Sequence, residues 1–233
     1  MESAFFILSS VVCFRFSDSW HLIMDLWFFE KKATAEGYQE IAGIDEAGRG
    51  PLAGPVVSAA VILPKNFSVA DVTDSKKLTI KKRARLYEEI YTHAVSVGVG
   101  IVDPVEIDRI NILQASLLAM SIAAQNLRPQ PECLLIDGTF SISSELPQRP
   151  IVKGDALSVS IAAASIVAKV TRDRLMERYH EYYPQFDFSR HKGYPTRAHK
   201  EAIRKFGYCP IHRRTFKGVK EFVRINLSTN NVS

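Results

Sequence analysis

Apolar residues recur along this chain with two spacings, one typical of strands and one typical of helices. Over residues 95–101 every second residue is apolar and those between are small or apolar, which predicts a strand with one buried face. β-rich runs over residues 40–45, 55–63 and 133–136 predict three further strands. Because a glycine-rich segment joins the first two, we expect them to lie close together, as in a hairpin.

Four helices are predicted from caps, apolar spacing and terminators. They cover residues 80–92, about 104–126, about 157–179 and Arg197–Phe206. Asp103 supplies an N-cap to the second helix, Pro104 its first position and Glu106 an acid in its first turn. Thr196 caps the last helix and Gly207 ends it. This mixture of elements indicates an α/β domain with a mixed sheet and flanking helices.

The composition indicates one domain with extensions at both ends. The chain has 233 residues, 46% of them hydrophobic and 24% charged, which is enough for one core and unlike a disordered protein. We expect the domain to span residues 38–224, after an extension over 1–37 and before a polar tail over 225–233. An apolar run over 4–16 is interrupted by Arg15 and too short to cross a bilayer, so no membrane association is expected.

The start of the chain allows two interpretations. Residues 1–23 lack the positively charged start of a signal peptide, and we expect them to lie upstream of the fold, with Met24 as the working start. A packed N-terminal helix is the alternative.

Positive charge is concentrated near the C-terminus. The net charge is +5, yet residues 189–224 hold eleven Lys and Arg against two Glu. Such a stretch favours a polyanionic partner, although a solvated basic surface has the same composition. Cys13, Cys133 and Cys209 are widely spaced, which argues against a disulfide framework or a zinc site and favours a soluble protein in the reducing cytoplasm.

Carboxylates stand where predicted elements end or begin. Asp45 and Glu46 end the first strand, Asp137 ends another, and Asp155 precedes the longest helix. Such positions meet at one edge of an α/β sheet, where four carboxylates could hold two Mg²⁺ or Mn²⁺ ions for phosphodiester cleavage. The segment Gly48-Arg49-Gly50 follows at once, and its bare backbone amides suit a sugar–phosphate ligand.

Each of these signals has a simpler explanation on its own. Asp45 and Glu46 could be a solvated strand end, Asp137 part of a common turn, and Asp155 a helix cap. The glycine-rich loop could be only a tight turn, and Tyr194 only a surface or core aromatic residue. The metal-site interpretation therefore depends on the signals occurring together and in this order.

Seven segments together resemble the bacterial ribonuclease HII family of the ribonuclease H-like superfamily. In chain order they are GIDEAGRGPLAGPV (43–56), DSKKL (74–78), LIDG (135–138), KGD (153–155), AASIVAKVTRD (163–173), HKGYPT (191–196) and HRRTF (212–216). One such motif would carry no weight, but seven in the family's order are specific. The sister family ribonuclease HIII has a substantial extra N-terminal domain, for which this chain offers too few residues.

The resemblance implies a fold and a reaction. The fold is a ribonuclease H-like mixed five-stranded sheet flanked by helices, with a helical C-terminal part. The reaction is endonucleolytic hydrolysis 5′ of a ribonucleotide in RNA–DNA hybrids or duplex DNA, leaving a 3′-hydroxyl and a 5′-phosphate. The family's catalytic, metal-binding acids fall on Asp45, Glu46, Asp137 and Asp155, which would hold two Mn²⁺ or Mg²⁺ ions. We expect the enzyme to be a monomer.

The resemblance also implies a substrate surface beside the acids. Gly48, Arg49 and Gly50 would sense the ribose 2′-hydroxyl, and Tyr194 would stack on the deoxyribose that follows. Phosphates would be contacted by Lys76, Lys169 and Arg172. A non-catalytic hybrid- or DNA-binding module on the same fold is the alternative function. A phosphatase or a transposase-like nuclease is a third.

Overall fold

The computed structural model describes residues 25–67 and 78–223. The expectations for residues 1–23, Met24, Lys76 and the tail over 225–233 therefore lie outside the described residues. No helix in the described ranges is both long and apolar enough to cross a membrane.

The described chain contains five strands and seven α-helices. In order the elements are α1 (Phe28–Ala35), β1 (Ile41–Ala47), β2 (Val56–Ile62), α2 (Ile80–His93), β3 (Ser96–Val102), α3 (Pro104–Ile110), α4 (Ile112–Gln125), β4 (Cys133–Asp137), β5 (Gln148–Ile151), a short 3-10 helix (Gly154–Ala156), α5 (Val159–Tyr182), a second 3-10 helix (Pro184–Phe186), α6 (Phe188–His191) and α7 (Arg197–Phe206).

One mixed sheet organises these elements, in the strand order β3-β2-β1-β4-β5. The first three strands in chain order form an antiparallel meander, whereas β4 joins β1 in parallel and β5 joins β4 in parallel. Ile44 is paired with Ile136, so the next residues, Asp45 and Asp137, end adjoining parallel strands at the same edge. The predicted five-stranded mixed sheet flanked by helices is confirmed, and its topology determines where the acids lie.

Small residues let two helices approach the sheet closely. On one face α5 packs across β1 and β2, and a β-carbon on Gly43 would overlap the Ser160–Ile161 peptide. On the other face α4 packs across β3, where β-carbons on Gly98 and Gly100 would overlap backbone carbonyls of the helix. Helix α4 therefore packs directly on the small residues between the valines of β3, and it covers the face of the strand on which those small residues lie.

The C-terminal part forms its own buried cluster beside the sheet. Phe186, Phe188 and Ile203 pack with Met176 of α5 and with Leu52, which lies in the loop after β1. This arrangement confirms the predicted helical C-terminal part. It also joins the basic end of the chain to the glycine-rich loop.

The single helix expected over residues 104–126 is two helices. Asn111 adopts a φ of 70° and ends α3, and its side chain accepts hydrogen bonds from the amides of Leu113 and Gln114 at the start of α4. Asparagine tolerates this left-handed conformation better than most residues, and here it also caps the second helix. The prediction of one continuous helix was therefore wrong.

Helix α1 was not predicted and belongs to the packed fold. Its Glu30 is buried, and one carboxylate oxygen accepts hydrogen bonds from the hydroxyls of Ser158 and Ser160, each at 2.6 Å. These serines stand at the start of α5, so α1 is tied to the helix that covers the sheet. The domain boundary expected at residue 38 lies too late, because Phe28–Ala35 already packs on the fold.

The close approach of α5 to β1 gives a stability prediction. We expect Gly43→Ala to destabilise the protein by about 1–3 kcal/mol, because the added methyl group must displace helix backbone. Urea denaturation measures the change. Gly50→Ala is the control, since its β-carbon would meet only the Tyr194 ring at 3.8 Å. Equal stability of both variants would show that α5 does not lie directly on the strand.

Candidate active site

Asp45 and Asp137 lie side by side at the carboxyl ends of β1 and β4. Asp45 is 4% exposed, and burial, then the negative charges of Glu46 and Asp137, raise the pKa of its carboxyl well above the usual value. A hydrogen bond with Ser165 on α5 and one from the amide of Glu46 act in the opposite direction. The strand ends thus hold a buried carboxyl whose ionisation is opposed by its neighbours.

Asp155 reaches the same edge through the short 3-10 helix. The amide of Gly154 donates a hydrogen bond to the Asp137 carboxylate at 2.7 Å, which holds the short helix that carries Asp155 at the end of β4. Asp155 is itself buried, at 7% exposure. The structure therefore brings three predicted acids from three separate elements to one edge of the sheet.

Glu46 faces the loop that follows the strand. Its carboxylate accepts a hydrogen bond from Arg49 at 3.3 Å, and the Glu46 side chain is 11% exposed. In the part of the chain that the structure describes, no three His, Cys, Asp or Glu side chains are grouped closely enough to hold a metal ion. The acids are neighbours at one edge, and their side chains would have to converge further around a cation.

The chemistry of the acids fits a divalent cation. Carboxylate oxygens are the ligands that Mg²⁺ and Mn²⁺ prefer. Burial, together with the negative charges of Glu46 and Asp137, raises the pKa of the Asp45 carboxyl. A cation at this edge would remove that repulsion, so the donor set suits the ions expected from the sequence.

The glycine loop, defined here as residues 48–55, is held from behind by two buried arginines. Arg172 of α5 and Arg213 are each 0% exposed, and together they donate five hydrogen bonds to carbonyls of this loop. The predicted phosphate contact of Arg172 is wrong for this structure, because a fully buried guanidinium has no surface to offer a phosphate. Sequence reasoning also missed Arg213, whose neighbours in the HRRTF segment give no sign of its burial.

The two glycines of the Gly48-Arg49-Gly50 segment serve different needs. Gly48 has a φ of 102°, and a β-carbon there would overlap the Arg172 side chain. Gly50 is exposed, with only the Tyr194 ring near its absent β-carbon. Gly48 thus makes room for the arginine behind the loop, whereas Gly50 leaves the outer face of the loop open.

Tyr194 and Lys169 lie together beside Gly50. The Tyr194 side chain is 41% exposed, and the Lys169 ammonium lies 5.9 Å from its ring centroid. Lys169 is also paired with Asp173 at 2.8 Å. An exposed aromatic ring, a lysine and an open stretch of backbone therefore lie together at the loop that follows Glu46.

Two buried histidines, His199 and His212, form a hydrogen-bond chain that ends at the backbone carbonyl of Tyr194. This network was not predicted. His212 accepts a hydrogen bond from the amide of Cys209 through Nδ1, so its Nε2–H donates to Nε2 of His199 at 3.0 Å. His199 then donates through Nδ1 to the carbonyl oxygen of Tyr194 at 2.9 Å. Burial lowers the pKa of His199 to about 4 and that of His212 to about 3, so both stay neutral near pH 7.

Fold and site together define a class of protein. A mixed five-stranded sheet with acids at the ends of its central parallel strands is the ribonuclease H-like architecture of metal-dependent nucleases. A model of the family described as Ribonuclease HII matches residues 42–219. Ribonuclease HII of Syntrophus aciditrophicus is 55% identical over 204 residues, which cover 88% of this chain and 96% of that protein. Ribonuclease HII of Enterococcus faecalis is 52% identical over 204 residues, which cover 88% and 80%.

Solved structures agree with the sequence relatives. Ribonuclease H2 from Pyrococcus horikoshii OT3 superposes with a TM-score of 0.67 at 28% identity, over 80% of this chain and 98% of that one. The RNase HII solved in complex with PCNA from Archaeoglobus fulgidus has a TM-score of 0.63 at 29% identity, over 77% and 96%. This chain belongs to the ribonuclease HII family, which consists of endoribonucleases of the ribonuclease H type.

The raised pKa of Asp45 predicts how the protein responds to pH and metal. Above the unfolded-state pKa of about 4, the unfolded chain loses this proton more readily than the folded one, so stability falls as pH rises toward the folded-state pKa. Asp45→Asn removes that loss. Without metal at pH 7 we expect the variant to be more stable by about 1 kcal/mol or more.

Urea denaturation in EDTA and in Mn²⁺ tests this expectation. Mn²⁺ should stabilise the wild type more than the variant, because the ion compensates the charge that the variant lacks. Glu106→Gln is the control, since Glu106 is a partly exposed acid of α3 that is paired with Arg109. An Asp45→Asn variant that is less stable than wild type at every pH without metal would contradict the charge argument.

Proposed function

We propose that this chain is an endonuclease that hydrolyses the phosphodiester 5′ of a ribonucleotide in RNA–DNA hybrids and in duplex DNA with embedded ribonucleotides. The products are a 3′-hydroxyl and a 5′-phosphate. The observation that carries the proposal is the gathering of Asp45, Asp137 and Asp155 at one sheet edge, next to the open face of the glycine loop. Membership of the ribonuclease HII family supports the same substrate class.

Asp45, Glu46, Asp137 and Asp155 are the residues that would hold Mg²⁺ or Mn²⁺. When bound, such ions lower the pKa of a water molecule and stabilise charge on the leaving oxygen in phosphodiester hydrolysis. Asp45 and Asp137 would supply ligands from the ends of adjoining strands. Glu46 would leave its contact with Arg49 to do so, which frees the arginine to face the substrate.

The glycine loop would distinguish a ribonucleotide from a deoxyribonucleotide. Its outer face presents backbone at Arg49 and Gly50, and both residues are exposed. The 2′-hydroxyl is the group that separates RNA from DNA, and backbone amides and carbonyls can both hydrogen-bond with it. Because Gly50 has no β-carbon, the sugar can approach this backbone closely.

Tyr194 and the lysines would position the duplex. The half-exposed ring of Tyr194 is suited to stack on the sugar that follows the ribonucleotide. Lys169 beside it, and Lys76 outside the described residues, would contact phosphates, which fix the register of a duplex without reading its sequence.

We further propose that the protein acts as a monomer in the cytoplasm. All the residues assigned here come from one chain, so a monomer is sufficient for activity. Cys133 and Cys209 are buried free thiols, which suits a reducing compartment such as the cytoplasm.

Cleavage of a duplex that carries one embedded ribonucleotide tests the proposal. With Mg²⁺ or Mn²⁺ we expect a single cut on the 5′ side of the ribonucleotide, and no cut in EDTA. Asp45→Asn should lower kcat by a factor of about 1,000 or more while duplex binding persists, because the buried ligand is lost. An all-DNA duplex and a small phosphomonoester are the control substrates.

The outcomes separate the candidate functions. Binding of the ribonucleotide duplex without cleavage under any metal condition would indicate a non-catalytic module. Efficient turnover of the all-DNA duplex or of the phosphomonoester would indicate a different hydrolase on the same fold.

The exposed ring of Tyr194 gives a second prediction. Tyr194→Ala should reduce cleavage at a single embedded ribonucleotide by about tenfold or more, since base or sugar stacking on an aromatic ring contributes about 1–3 kcal/mol. A long RNA–DNA hybrid should be affected less, because it offers many cleavage positions. Tyr91→Ala is the control, as Tyr91 is a similarly exposed tyrosine on α2. Equal losses on both substrates would remove the role in reading the junction.

A further inference from the structure

We propose that Arg172 and Arg213 are positioning residues that turn the carbonyls of the glycine loop inward and so present its amides to the substrate. The inference rests on the proposed function, since it concerns how that loop is shaped for a ribonucleotide. Neither arginine reaches the surface, so neither touches the substrate itself.

Arg213 holds both ends of the loop at once. Its Nη2 donates to the carbonyl of Gly48 at 2.6 Å, Nη1 to that of Arg49 at 2.9 Å, and Nε to that of Gly54 at 3.0 Å. A planar guanidinium with donors on all three nitrogens can span three carbonyls in fixed directions, which a lysine ammonium cannot reproduce.

Arg172 fastens the far end of the loop to the Tyr194 segment. Its Nε and Nη2 donate to the carbonyls of Pro55 and Ala53, at 3.0 and 3.1 Å. Its Nη1 donates to the carbonyl of Lys192 at 3.0 Å. One side chain therefore links the loop that would read the ribose to the segment that carries the stacking ring.

The peptide geometry converts these contacts into an orientation of the loop. In a trans peptide the C=O and the following N–H point in opposite directions. Because the carbonyls of Gly48 and Arg49 point inward to Arg213, the amides of Arg49 and Gly50 point outward. Within the described ranges, neither amide donates a hydrogen bond to another part of the chain. These are the donors available to a 2′-hydroxyl or a phosphate oxygen.

Burying two charged guanidinium groups costs free energy, which indicates that these arginines do more than stabilise the fold. Burial lowers the pKa of Arg172 to about 10 and that of Arg213 to about 9, so both remain charged near pH 7. Neither is paired with a carboxylate within the described ranges, and each relies on neutral carbonyls. Apolar side chains of similar volume often stabilise a core better than buried charges do. Directional control of the loop explains why cations are placed here.

The test compares Arg213→Lys with the wild type. The quantity compared is the affinity for a ribonucleotide duplex divided by the affinity for an all-DNA duplex. Binding of a duplex with one ribonucleotide and of the matched all-DNA duplex is measured in Ca²⁺, which is used to prevent cleavage. The wild type should prefer the ribonucleotide duplex. We expect Arg213→Lys to lose most of that preference and to cleave with kcat/KM lowered on the order of 10- to 100-fold. Affinity for the all-DNA duplex should change little.

Arg174→Lys is the matched control, because Arg174 lies on the same helix as Arg172 but is half-exposed and paired with Glu88. It should keep wild-type preference and rate. If Arg213→Lys does not fold, Arg172→Lys is measured in the same way. Free guanidinium added to Arg213→Ala should restore part of the rate, as expected if the missing group is the guanidinium alone.

Three results would overturn the inference or the function beneath it. Wild-type preference and rate in Arg213→Lys would overturn the positioning role. A parallel loss of affinity for both duplexes, with preference unchanged, would also overturn it and leave only a structural role. A wild type that shows no preference at all would refute the proposed function instead, whatever the variants do.

Discussion

The parallel pairing of β1 with β4 is the constraint on which the site depends. It places Asp45 and Asp137 at the same level of the sheet, although they are far apart in the chain. Asp45 is buried and Asp137 is partly buried, and the charge of Asp137 adds to burial in raising the pKa of Asp45, while α5 packs across β1. A cation bound at this edge would favour the ionised form of Asp45 and so offset both burial and the neighbouring charges.

Buried charge of the opposite sign lies behind the adjacent loop. Arg172 and Arg213 donate to neutral carbonyls of the glycine loop, which follows Asp45 and Glu46 in the chain. Glu46 and Arg49 connect the two groups through their contact. A divalent cation would offset the negative charge of the acids, and the exposed Arg49 would then face a polyanion, whereas the two buried arginines would act only on the backbone of the loop.

Local signals in the sequence predicted local structure well. The helix over Arg197–Phe206 was predicted with its observed bounds, since the Thr196 side chain accepts the cap hydrogen bond and Gly207 takes a φ of 76°. The alternation in β3 was equally informative. Strand β5 was missed because its sequence, QRPI, contains a proline and two polar residues, and only its parallel partner β4 makes it a strand.

The sequence did not show which of its arginines are buried. Arg172 stands in a motif of the family resemblance and was expected at the surface, but the fold turns it beneath the glycine loop. No pattern of neighbours distinguishes a buried arginine from an exposed one when its partners are backbone carbonyls from distant segments. The same holds for His199 and His212, which meet only after α7 and the following turn have folded.

Gly48 and Gly50 show both a feature that the sequence predicted and one that it did not. A glycine beside an arginine in a loop was interpreted as a surface that lets a sugar approach closely, and Gly50 has the open outer face that this requires. Gly48 is needed for a different reason, because the Arg172 side chain occupies the space of its β-carbon. Gly50 thus leaves the outer face of the loop open, and Gly48 makes room for the Arg172 side chain behind it. A short motif can therefore combine a recognition surface with the packing requirement that keeps that surface in place.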